Sequence, residues 1–120
     1  MSKPRSRWSA IVIVIAALGC GGAPKPEGRV ASSQGAIRGA AEAGAEGVPR
    51  ATLHMKLAQE QRDQALELIK SGENHRAELL LARAEADAEL ALALAREATA
   101  KAEADKVDEE LESISKQAED

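Results

Sequence analysis

From Asn74 to Ala118 the sequence runs without a glycine or a proline. An unbroken stretch of about 45 residues of this kind has one low-energy solution, a single helix of ~67 Å at 1.5 Å rise per residue. Small residues recur along it: Ala77, Leu81, Ala84, Ala88, Ala91, Ala95, Ala98 and Ala102 follow one another in steps of four and three. That is the period of a helix-packing seam. A seam built almost wholly of alanine lets two helix axes approach to the low end of the usual ~8–10 Å. Alanine is also the best helix former, but propensity alone does not impose a 4–3 register. Leu79, Leu80, Leu90, Leu92 and Leu94 flank the seam.

The seam stops near Asp105. Val107, Leu111, Ile114 and Ala118 continue at helical spacing on a different face, among Glu103, Asp105, Asp108, Glu109, Glu110 and Glu112. This stripe is expected to pair with a second copy or with a helix of another protein; the alternative is a fraying acidic tail. Upstream, Pro49 suits the first turn of a helix, and no breaker follows before Ser71. Leu53, Leu57, Ala65, Leu68 and Ile69 suggest one broad apolar face, interrupted by Gln61 and Gln64. Gly72 suits a left-handed C-terminal stop, and Asn74 suits the cap of the next helix. Residues 36–46, with Gly39 and Gly44, predict a short, weak helix, because each interior glycine costs about 1 kcal/mol relative to alanine. Residues 21–35 hold Gly, Pro and Ser and read as a flexible tether.

The first twenty residues have a separate logic. Lys3, Arg5 and Arg7 precede an apolar run from Trp8 to Leu18, and Gly19 stands before Cys20, the only cysteine. A basic start, a short apolar core and a small residue before the cut describe a secretory signal peptide. The core is about 11 residues, short of the ~20 needed to span a bilayer. Cleavage between Gly19 and Cys20 would remove Trp8, leaving no Trp, Tyr or Phe. Aromatics dominate most cores and binding hot spots, and single-stranded nucleic acid is bound by stacking on them. The whole chain has a formal charge of −4, and loss of three basic residues makes it more acidic. An acidic surface does not seek phosphates, so no nucleic-acid partner is expected.

Three resemblances follow. "AALGC" resembles the lipobox of bacterial lipoproteins, with Ala17 where leucine is usual and Leu18 one place later. The resemblance implies a diacylglycerol on the Cys20 thiol and acylation of the new amino group. Gly21, rather than aspartate, resembles the signal for outer-membrane sorting, facing the periplasm. Gly72, Ala77, Leu81 and Ala84, with Ala65 and Leu68 before them, are similar in offset to a tetratricopeptide turn. A single copy cannot form a repeat stack, which leaves one hairpin. From Gly35 to about Ala102, "AIRGAAEAGA" and "AELLLARAEADAELALA" resemble an uncharacterised family of alanine-rich envelope lipoproteins. Some of its relatives carry a peptidoglycan-binding domain of the outer-membrane-protein-A type. That resemblance implies a fold and an address but no activity.

No GxSxG, HExxH, CxxC or phosphate loop occurs. His54 and His75 would lie about 27 Å apart in a hairpin, too far to share a metal, and they read as surface residues. Glu85, Asp87 and Glu89 read as a solvated face. The expectation is therefore an all-α chain with no catalytic residues, no metal and no cofactor. Its parts are a signal peptide at 1–19, a lipidated cysteine and disordered tether at 20–35, and a module at 36–118. The module is a helical hairpin with a long second helix, preceded by a short weak helix, with bounds of about 36–46, 49–71 and 74–118. The expected role is a lipid-anchored interaction or scaffold module in the periplasm. The alternative is a spacer between outer membrane and peptidoglycan, although "KQAED" lacks the C-terminal lysine that such spacers use for attachment.

Overall fold

The computed structural model describes residues 22–119; the expected signal peptide, Gly19 and Cys20 lie outside them. Among the described residues there are helices and no strand. Helix α1 spans Glu27–Glu42, a 3-10 turn spans Ala45–Gly47, α2 spans Pro49–Lys70, and α3 spans Asn74–Glu119. The hairpin of α2 and α3 is present, with α3 more than twice the length of α2.

The turns form as their residues dictate. At the end of α2, Gly72 has φ +81°. The Glu73 N–H donates to the Leu68 carbonyl at 2.8 Å and the Gly72 N–H to that of Ile69 at 3.1 Å. This is the paired closure of a Schellman motif. Gly44, also at φ +81°, stops α1. Pro49 opens α2 at its first turn, and the Thr52 hydroxyl lies within 3.2 Å of the carbonyls of Ala45, Glu46 and Val48. Asn74 does not cap α3 through its side chain. It is the first helical residue, and its Nδ2 donates to the Ala23 carbonyl at 2.5 Å. The Glu73 carbonyl accepts the first bond of that helix, from the Ala77 N–H at 3.0 Å.

The N-terminal helix differs from expectation. It begins at Glu27 and ends at Glu42, so residues 27–35 belong to a packed helix and not to a tether. Val30, Ser33, Ile37 and Ala40 recur at helical spacing and face the hairpin; Ser33, Ile37 and Ala40 are buried. Ser33 is tolerated there because its hydroxyl donates to the Val30 carbonyl at 3.0 Å. Glycine and serine content concealed a face of alternating apolar and small residues, Val30, Ser33, Ile37 and Ala40. Arg29 with Glu85 of α3, at 3.0 Å, and Arg62 of α2 with Gln34, at 2.5 Å, tie α1 to both arms.

Three layers of core follow from this packing. At the hairpin turn, Leu81, Ala65 and Ala77 pack with Val30 and Leu68. In the middle, Ile37, Ala58 and Ala88 meet. At the open end, Ala40, Ala51, Met55, Ala91, Leu94 and Ala95 meet. Thus α1 runs from the turn toward the open end, antiparallel to α2 and parallel to α3.

The seam is buried from Ala77 through Leu81, Ala84, Ala88, Ala91 and Ala95. Ala98 is half-buried and Ala102 is exposed, because α2 starts only at Pro49 and no helix reaches beside Ala102. The face of α2 also differs from expectation. Its buried residues are Ala51, Met55, Ala58 and Ala65, whereas Leu53 and Leu57 are exposed. Closely approached helices admit mostly alanine between them, with Met55 the one large side chain of α2 taken in, and Leu53 and Leu57 are turned outward.

Two glycine substitutions should have opposite signs. Gly39 lies inside α1 with open space where a Cβ would stand, so Gly39→Ala should raise stability by about 0.5–1 kcal/mol. Gly72→Ala forces a Cβ into the left-handed region and should lower it by about 1–2 kcal/mol. Urea unfolding of both variants checks this; a loss with Gly39→Ala would place α1 closer to its neighbours than described.

Candidate docking surface

The exposed large apolar side chains are not scattered. They are Leu53, Leu57, Leu79, Leu90, Val107, Leu111 and Ile114. Leu79, Leu90, Val107, Leu111 and Ile114, 42–60 % exposed, fall on one 4–3 register along α3. Ala86, Ala93, Ala100, Ala104 and Ala118 fill most of the other positions of that register; only Arg83 and Glu97 are charged. On a helix, positions offset by two residues from a 4–3 seam turn to roughly the opposite side. The outer register therefore faces away from the alanine seam and from α1.

At the turn end this register borders the open side of the hairpin. There Gln64, Glu67, Leu68 and Ser71 of α2 and Arg76, Leu79, Leu80 and Arg83 of α3 line a groove of about 740 Å³. Leu57 and Leu53 continue its α2 side at steps of seven and four from Gln64. From residue 101 to Glu119 every described residue is exposed, and Val107, Leu111 and Ile114 extend the surface with no other helix beside them. The sequence reading stopped this stripe at Val107, although Leu79 and Leu90 already stood in the same register. The missing signal was which leucines of α3 the core would leave outside.

A polar cluster joins the two arms. Asp87 Oδ1 lies 2.9 Å from His54 Nδ1, and Asp87 Oδ2 accepts from Gln61 Nε2 at 2.8 Å. His54 is therefore not a free surface histidine, and Asp87 is not merely a solvated acid. Gln61 interrupts the apolar face of α2 because it reaches this carboxylate. Glu85 is likewise engaged, with Arg29. The cluster holds α2 against α3 in register and brings no hydroxyl or thiol nucleophile to the histidine. Among the described residues no group of three His, Cys, Asp or Glu could hold a metal ion, and no helix is long and apolar enough to cross a membrane.

No family model, curated protein or solved structure matches the chain.

Proposed function

We propose that this protein is a lipid-anchored, non-catalytic module of the bacterial envelope that binds helices through the outer face of α3. The observation that carries the reading is the exposed register from Leu79 to Ile114, apolar at every position but Arg83 and Glu97. Soluble chains rarely leave so extended an apolar strip uncovered unless it meets a partner. The anchor rests on the basic start, the short apolar run and the lipobox-like "AALGC". Gly21 favours the outer membrane, with the module on the periplasmic side. The likeness of residues 35–102 to alanine-rich envelope lipoproteins points the same way.

The anchor also has a physical consequence. Ala23 is held by Asn74 at the hairpin turn, and the chain from Cys20 to Ala23 extends at most about 10 Å. An acylated Cys20 would keep the turn end of the bundle at the lipid surface. More than one acyl chain is needed for stable anchoring, at about 0.8 kcal/mol per buried methylene. Cys20→Ser is expected to abolish lipid labelling and to leave the precursor uncut. Continued cleavage after Gly19 with retention in the membrane fraction would refute the anchor.

A spacer reading rests on the ~69 Å length of α3. Retention of the protein on purified murein sacculi after boiling in detergent supports a spacer; complete release supports the docking module.

A further inference from the structure

We infer that the occupant of the outer face is a second copy of this chain, paired antiparallel, so that each long helix lays its free arm along the open side of the other's hairpin. This rests on the docking reading and names its partner. Three observations favour it.

The first is length. Residues 99–119 pass beyond the start of α2. They match, to within a turn, the length of α2 itself, which has 22 residues, or ~33 Å. In a two-fold antiparallel pair the arm of one copy therefore spans the groove of the other. Each half then becomes a four-helix bundle of α1, α2, α3 and the partner's arm.

The second is the apolar register. With α3 fully overlapped, Leu111 packs on the partner's Ala86, Leu90 on the partner's Val107, and Leu79 on the partner's Ala118. Leu111 and Leu79 thus each meet an alanine, Leu90 and Val107 meet as an apolar pair, and Ile114 lies over the aliphatic stem of the partner's Arg83. Such an interface is self-complementary and closes as a dimer.

The third is charge. Lys101, Glu103, Asp108 and Glu110 flank the stripe on the arm, and Asp87, Glu89 and Arg96 flank it on the hairpin half, where Arg83 stands within it. In a parallel pair, flanking positions five residues apart face each other, which sets Arg96 against Lys101 and Glu103 against Asp108. Both contacts are repulsive. In the antiparallel pair Arg96 meets the partner's Glu103 on both sides of the two-fold axis, an attractive flanking contact the parallel pair lacks, while Glu110 meets the partner's Glu89 and Asp108 the partner's Asp87. Flanking charges of this kind set the orientation of paired helices.

In such a pair the two Ala23 segments lie at opposite ends of one rod. With both Cys20 residues acylated, the rod lies along the membrane.

The test uses the full chain purified in detergent. Sedimentation should show a dimer that Leu111→Asp abolishes while helix content is unchanged. Arg96→Glu should weaken association about tenfold, two exposed ion pairs turning repulsive; in a parallel pair it would instead tighten association, by facing Lys101. A photocrosslinker at position 114 should map to the partner between Leu79 and Leu90. A monomer at all concentrations, tighter association with Arg96→Glu, or an adduct between the two arms would overturn the inference. Failure of the docking reading itself is distinct. It would appear as unchanged crosslinking in intact cells when Leu90 and Leu111 are both replaced by aspartate.

Discussion

Leu81→Ala is expected to lower stability by about 2–5 kcal/mol, the range for removing a buried leucine. Leu81 is fully buried and is the largest such side chain among the described residues. It sits where α1, α2 and α3 meet beside the hairpin turn, against Ala65, Ala77 and Val30. Ala65 and Ala77 beside it are too short to fill the space it leaves. Val30, Leu68, Ile69 and Leu80 pack around the same layer, and the start of α1 depends on this contact. Urea denaturation followed by far-ultraviolet circular dichroism gives the value. A loss below ~1 kcal/mol would mean that the site collapses freely or that α1 does not pack there.

Ala88→Leu tests the opposite error, too much volume. Ala88 is fully buried and packs with Ala58 and Ile37 at mid-bundle, where all three helices meet. A leucine there has no space without forcing the axes apart, and overpacking costs about 1–3 kcal/mol. Separation at this layer would also strain the His54–Asp87–Gln61 cluster one turn away. Ala102→Leu is the control. Ala102 continues the same seam in sequence but is exposed, so the larger side chain should leave the unfolding midpoint unchanged. Equal effects at both positions would mean that the bundle extends past Ala98.

The long helix was legible because nothing in residues 74–118 can break it, and the hairpin because Gly72 stands where a left-handed stop is needed. The seam was legible through Ala95, since small residues in steps of four and three are required wherever two helices come close. Its far end was not, because a 4–3 pattern continues in alanine-rich sequence whether or not a partner helix lies beside it. The start of helix α1 was not legible for a related reason. Gly28, Gly35 and Gly39 weaken an isolated helix, yet Val30, Ser33, Ile37 and Ala40 make a face that two neighbouring helices can cover. Most of the stability of such a helix comes from that burial and little from intrinsic propensity.

The docking surface divides in the same way. The sequence by itself determined that Val107, Leu111 and Ile114 share a face, because helical periodicity is a property of local chain geometry. Only the tertiary structure decided that Leu53, Leu57, Leu79 and Leu90 stay outside. Hydrophobicity favours burying these leucines as much as Leu81. Where the axes come closest only alanine fits, and the few sites with room for more are filled by Leu81, Met55, Leu94 and Ile37, so the choice belongs to the local distance between helices.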